Sequence, residues 1–260
     1  FRLLAREINY ADLLKILFFL APKLVIKKKL WRLIEMKYKD VNYQNIAITP
    51  EFVRLHAHIC GDGYITQSKV KRSIKELLKH PRKNTIRNKY YVRYVNKEIT
   101  LINQFIEDVH SVFQRKVTKF SKPEVEVSSK WIFDIFVKLG ALKSHNWFIP
   151  NKILLASQDI KIEWLRAFFD DEAYVSKSQK RIVLNIVNIN GLEQIQQLLS
   201  ELNINSRLKG PYKYKTYQSY HLTIYKKHMM TYSNLIGFSH PKKKLHLLEI
   251  INGGGRNFTS

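Results

Sequence analysis

The sequence predicts an α+β fold in which one unit is used twice: helix, two strands, helix, two strands, helix, and then the same order again. Three observations predict it. Two apolar helices end in acidic turns, Gly61-Asp62-Gly63 and Asp171-Glu172-Ala173, 110 residues apart. Asn103-Gln104-Phe105 matches Glu193-Gln194-Ile195 at a spacing of 90, and Val125-Glu126-Val127 with Lys130 matches Leu222-Thr223-Ile224 with Lys227 at 97. The change in spacing puts an extra stretch of about twenty residues in the first copy, between its acid and the next helix. Expected boundaries are 1–48 for a helical N-terminal extension, 49–155 for the first half and 156–260 for the second.

The elements follow in order. Ala11 to Leu20 is apolar, and Lys27 to Lys29 and Arg32 surround Leu30, Trp31, Leu33 and Ile34, which reads as one or two amphipathic helices. Thr49-Pro50-Glu51 starts a helix, with a hydroxyl N-cap, a proline at the first helical position and an early acid. That helix should run from Pro50 to about Gly61, where glycines end it. Tyr64 to Thr66 reads as a strand, and Thr66 to Arg93 carries ten basic residues against one acid, Glu76. Then come a β-rich segment over Lys89 to Val95, a helix from Ile99 to Phe113, strands near Val117–Phe120 and Val125–Val127, and a helix from Lys130 to Leu139. In the second half a helix over Ile162 to Asp171 precedes strands at Tyr174–Ser178 and Ile182–Val187 and a helix at Leu192–Leu202. Strands at Arg207–Tyr212 and Tyr220–Tyr225 and a helix at Lys227–Ile236 close it.

Composition narrows the chemistry. The 260 residues include 45 Lys plus Arg against 21 Asp plus Glu, a net charge of +24, so the expected partner is a polyanion. A basic membrane anchor would concentrate its charge in one helix, whereas here it is spread along the chain. The apolar stretch from Ile16 to Ile26 is broken by Pro22 and Lys23, so no transmembrane helix is expected. Cys60 is the only cysteine, which excludes a disulfide framework and suits a reducing, intracellular compartment, cytoplasmic or organellar. A zinc reading of His56, His58 and Cys60 fails on geometry, because helical residues two apart do not face one another. A (β/α)₈ metal hydrolase would need eight alternating units, and they are missing.

Leu55-His56-Ala57-His58-Ile59-Cys60-Gly61-Asp62-Gly63 and Leu165-Arg166-Ala167-Phe168-Phe169-Asp170-Asp171-Glu172-Ala173 each resemble the LAGLIDADG motif of one class of homing endonuclease. The resemblance covers about residues 49 to 250 and is closest to single-chain, two-motif, intron-encoded members. It implies two αββαββα halves whose motif helices pack at the interface while both sheets form a saddle on DNA. The small residues Ala57, Gly61 and Ala167 would allow close helix approach. It also implies cleavage of both strands at a long, asymmetric double-stranded DNA site by a monomer, with Asp62 and Glu172 as metal ligands and the carbonyls of Gly61 and Asp171 assisting. Asp171 in place of a small residue and Ala173 in place of the closing glycine depart from the motif.

Two clustered acids favour a hard divalent ion, Mg²⁺ or Mn²⁺, with Ca²⁺ expected to bind without supporting cleavage. Lys143 and Lys243, in matching places after each half's closing helix, are the candidate catalytic lysines that the resemblance suggests. Candidate DNA contacts are Gln67, Lys69, Lys71, Arg72, Arg82, Lys83, Arg87, Lys89 and Arg93 from the first half. From the second they are Ser176, Lys177, Lys180, Arg181, Asn185, Lys213, Lys215 and Gln218. Such Lys, Arg, Asn and Gln residues on strands can read base edges. An alternative from another class is an intron maturase, an RNA-binding splicing cofactor of the same fold.

Overall fold

The computed structural model describes residues 46–79, 84–121 and 123–253, all within one compact unit, Asn45–Ser260. Residues 1–45 of the helical extension expected over 1–48, and the candidate contacts Arg82 and Lys83, lie outside the described residues.

The first half runs α1 (Pro50–Cys60), β1 (Gly63–Lys71), a short α2 (Ile74–Lys79), β2 (Ile86–Val95), α3 (Ile99–Phe113), β3 (Lys119–Ser121), β4 (Glu124–Ser128) and α4 (Lys130–Lys138). A single turn, α5 (Asn151–Leu154), leads into α6 (Gln158–Glu172), β5 (Ala173–Ser176), β6 (Arg181–Ile186), α7 (Ile189–Glu201), β7 (Ser206–Lys213), β8 (Gln218–Tyr225) and α8 (Met229–Leu235). A further helix, α9 (Pro241–Asn252), was not anticipated, although Pro241 at its first turn and apolar residues at 245, 247, 248, 250 and 251 mark it. Among the described residues no helix is long and apolar enough to cross a membrane.

Each half forms a four-stranded antiparallel sheet of the same order, β1-β2-β4-β3 and β5-β6-β8-β7. Register makes the duplication concrete. Gly63 pairs with Tyr94, which pairs with Val125; Ala173 pairs with Leu184, which pairs with Leu222. The matching positions lie 110, 90 and 97 residues apart, as the sequence spacings require.

The extra residues of the first half lengthen its strand pair. β1 and β2 are paired over nine positions, from Gly63 to Lys71, whereas β5 and β6 are paired over four, from Ala173 to Ser176.

Alternation fixes the two faces of each sheet, because successive strand side chains point to opposite sides. Val92, Tyr94, Val125 and Val127 are buried toward the helices of the first half, and Ile182, Leu184, Leu222 and Ile224 toward those of the second. The intervening residues form the outward face of each sheet.

The motif helices α1 and α6 pack against each other, and Ala57 and Ala167 are both buried. Gly61 keeps this approach close, since a Cβ on it would lie 3.0 Å from the Cβ of Asp171, which would have to shift. Arg54 links three elements from α1: its Nε and Nη2 donate to Asp108 on α3 at 2.9 and 2.6 Å, and its Nη1 donates to Glu163 on α6 at 3.0 Å.

Candidate active site

The start of α1 is built as its sequence dictates. Thr49 Oγ1 accepts the Phe52 N–H at 3.3 Å, and Pro50 occupies the first turn. The helix then carries two histidines into the interface, where they do different work. His56 Nε2 donates to the Leu139 carbonyl at 2.8 Å, which leaves Nδ1 to accept the Trp164 indole N–H of α6 at 3.0 Å. This neutral ring is fully buried, and burial pushes its pKa down to about 4.

His58 is also fully buried, and its Nδ1 lies 2.8 Å from Asp171 Oδ2 of the other motif helix. Burial works against its charge, but the carboxylate of Asp171, helped by Asp170 and Asp108, outweighs that and raises its pKa. The two histidines thus bond to different partners, which agrees with the geometric argument against a shared zinc ion.

Asp171 is the hub. Its Oδ1 accepts the Tyr94 hydroxyl at 2.7 Å and the Asn96 amide at 3.3 Å, and the same amide donates to Asp62 Oδ2 at 2.9 Å. Asp62 and Asp171 are therefore joined through Asn96, and Glu172 follows Asp171 at the end of α6. Loss of hydration and the charge of Asp171 push the Asp62 pKa up to about 6, although the residue keeps a solvent-exposed side. Burial, with Asp62 and Asp171 nearby, pushes Glu172 up to about 7.

Against these acids sits Lys243 of α9. Its ammonium donates to the carbonyls of Phe169, Asp170 and Asp171 at 3.3, 2.5 and 3.0 Å, covering the negative end of α6. Burial pulls its pKa below the usual lysine value despite the four acids nearby. Asp170 holds the segment in place by accepting the N–H groups of Ser239 and His240 at 3.1 and 2.9 Å.

The donor set fits a hard divalent cation. Burial and the charge of Asp171 raise the pKa of Asp62, and burial with Asp62 and Asp171 raises that of Glu172; a bound positive ion would reverse this, and carboxylate oxygens are the ligands such ions take. Among the described residues no three His, Cys, Asp or Glu side chains converge on one point. That is the usual situation for Mg²⁺, which takes one or two carboxylates and completes its shell with water and phosphate oxygens. Gly61 is the C-cap of α1, directly before Asp62. The carbonyl of Asp171 already accepts from Lys243.

Of the two candidate lysines, the fold brings only Lys243 to the acids. Lys143 is exposed in the turn after α4 and bonds to none of Asp62, Asp171 and Glu172. Sequence reading missed Tyr94 and Asn96, and it treated Asp171 as a departure from the motif when its side chain bonds across the interface.

The candidate DNA contacts divide by strand parity. Arg87, Lys89 and Arg93 share the outward face of the first sheet, opposite Val92 and Tyr94. Gln67, Lys69 and Lys71 pair with Tyr90, Asn88 and Ile86, on the face that carries Val92 and Tyr94 toward the helices. They remain exposed because the strand pair runs past the core. Arg72 donates to the Asn84 carbonyl at 2.9 Å and closes the base of the α2 excursion.

In the second sheet Ser176, Arg181 and Asn185 lie on the outward face, although Ser176 is buried and accepts the Gln179 N–H. Lys177 and Lys180 occupy the β5–β6 turn, Lys177 paired with Glu249 at 3.0 Å, and Lys213, Lys215 and Gln218 sit exposed at the β7–β8 end. The sequence reading did not single out Arg207, Lys209 and His221, which share the outward face with Arg181.

Comparison with known proteins fits this geometry. Residues 159–237, from the first turn of α6 through α8, match the family model described as a LAGLIDADG-like domain. That segment is a LAGLIDADG-like domain.

Among solved structures, mesophilic variants of the homing endonuclease I-DmoI match with a TM-score of 0.56 at 19% identity, covering 78% of this chain and 98% of theirs. I-DmoI in complex with DNA and Mn matches at 0.53 and 19%, covering 73% and 97%, and its complex with DNA and Ca at 0.54 and 19%, covering 78% and 98%. These likenesses give the chain the two-motif fold of those structures. Over 112 residues, 42% of its length, it is 31% identical to a probable translation initiation factor IF-2 of Methanocaldococcus jannaschii. The chain spans about a tenth of the length of that curated relative.

Proposed function

We propose that the chain is a site-specific, double-strand DNA endonuclease that hydrolyses phosphodiester bonds with divalent metal ions. One observation carries the reading: the two LAGLIDADG helices deliver Asp62 and Glu172 to one place beside Lys243, with both carboxyl pKa values raised toward neutrality. Asp62 and Glu172 would hold the ions, Mg²⁺ or Mn²⁺, with the Gly61 carbonyl available beside them. When bound, such ions polarise the scissile phosphate, supply hydroxide from water and stabilise the leaving oxygen.

The chain's own residues prepare the place. Asn96 fixes the Asp62 carboxylate, the His58–Asp171–Tyr94 cluster locks the helix ends together, and Lys243 sets a positive charge beside the acids where phosphate charge must be accommodated. The net charge of +24 and the two basic sheets supply the attraction for a duplex, which a single chain with two half-sites can engage as a monomer. An intracellular place of work is part of this reading.

The maturase alternative is not favoured: both motif acids stand at their helix ends, where splicing assistance has no need of them. The match to a tenth of a translation factor favours a second reading of how the domain is carried, as a module within a larger polypeptide. Mass determination of the native product would decide between a free chain and an embedded one.

Cleavage is tested with a plasmid library carrying random inserts, incubated with the protein plus Mg²⁺, Mn²⁺ or Ca²⁺. Linear product with Mg²⁺ or Mn²⁺ only, absent with Asp62→Asn, is the expected result. Intact plasmid under every condition, with folded protein, would sink the proposal.

A further inference from the structure

The outward face of the first sheet carries a cluster that the cleavage chemistry does not use. Arg93 on β2 lies opposite Tyr64 on β1 and Glu126 on β4. Its Nε donates to Glu126 Oε2 at 2.8 Å, its Nη2 is ion-paired to the same oxygen at 2.7 Å, and Glu124 Oε1 is 3.7 Å from Nε. The guanidinium also stands over the rings of Tyr91 and Tyr64, 4.6 and 5.6 Å from their centroids, and the Tyr64 hydroxyl donates to Glu124 at 3.1 Å. These contacts immobilise the group.

Two glutamates here oppose any simple attraction for phosphate. One arginine against two carboxylates leaves the cluster with a net charge of −1, so binding the DNA backbone does not explain it. An arginine fixed by carboxylates and aromatic rings keeps one edge of its fork free in a set direction, which is what hydrogen bonding to the O6 and N7 of guanine needs. The carboxylates also penalise approach of the backbone wherever no base contact compensates. Because Tyr64 is two residues from Asp62, the cluster stands next to the cleavage centre, not at the far end of the arm.

We propose that Arg93, held by Glu126 and Glu124, is a specificity-determining residue that reads the guanine of a G·C pair close to the cut on the first-half side. This rests on the endonuclease reading above and deepens it.

The test is selection of bound sequences from a duplex library with a randomised central region, using wild type, Arg93→Lys and Glu126→Gln. Wild type should enrich G·C at one position within a few base pairs of the centre of the selected site. Arg93→Lys keeps the charge but loses the fork, and should lose about tenfold of that preference. Glu126→Gln should weaken the same preference several-fold while raising affinity for mixed-sequence duplex, since a repelling charge is gone. If the wild-type site has no such G·C pair, or Arg93→Lys keeps the preference, the assignment is overturned. If wild type enriches no sequence at all, the endonuclease reading fails, and this proposal with it.

Discussion

On the outward face of sheet β1-β2-β4-β3, Arg93 is answered by Glu126 and Glu124. On the corresponding face of β5-β6-β8-β7, Arg181, Arg207 and Lys209 share four strands that contain no acid, and no Asp or Glu occurs between Glu201 and Glu249. The two sheets share one topology, yet the first holds Arg93 in a network of acids and the second has no acid on its strands. The same frame can therefore serve two purposes, orientation in the first half and attraction in the second. A like asymmetry runs through the motif ends, where Lys243 covers α6 and Lys143 does not reach α1.

The strongest challenge to this comparison is at the acids, where the halves should behave alike. Asp62→Asn and Glu172→Gln should each abolish cleavage while duplex affinity changes by less than about tenfold, since removing negative charge near phosphates does not hinder binding. Cleavage and filter-binding assays on the same preparations would show it. A half that tolerates loss of its acid would end the reading in which both acids hold the metal ions.

At the lysines the halves should part. Lys243→Met should slow cleavage by roughly a hundredfold, and Lys143→Met by less than about threefold, measured as single-turnover rates. Equal losses would restore symmetry and place Lys143 at the acids when DNA is bound.

Neutralising Lys209, Lys213 and Lys215 together should reduce the slope of log affinity against log salt by up to about three, near one for each phosphate no longer neutralised. Replacing Lys69 and Lys71, which parity puts on the helix-side face, should change it by less than about one. The reverse order would mean that the long arm turns its other face to DNA.

The smallest effect expected is on stability. His56 is buried neutral with a pKa of about 4 against an ordinary 6.5, so the unfolded chain takes up the proton first as pH falls. The stability it allows is intact above pH 6.5 and lost between there and pH 4, up to roughly 3 kcal/mol. His56→Gln should flatten that part of a melting-temperature profile against pH. An unchanged slope would show that His56 is not the group responsible.

Much of this was readable in the chain itself, for local reasons. Thr49-Pro50-Glu51 announced α1 because caps and prolines act within one turn, and the three spacings identified the duplication because register carries them through whole sheets. What depended on distant partners was not readable. Asp171 looked like an error in the motif because His58, Tyr94 and Asn96 are 75 to 113 residues away. Gln67, Lys69 and Lys71 were grouped with Arg93 because β1 beyond Thr66 has no strong apolar alternation to set its parity. In β2, Val92 and Tyr94 do set it.

The contacts between α1 and α6 are complementary and not identical: His56 meets Trp164, His58 meets Asp171, and Gly61 leaves room for that same aspartate. Two copies of the second half joined through their own motif helices would set Asp171 against Asp171. Two copies of the first would leave His58 and Tyr94 without their acceptor. Each half has become the lock for the other's key, so the fusion works as a ratchet: a chain that arose by doubling can no longer be undone into a working pair of either part.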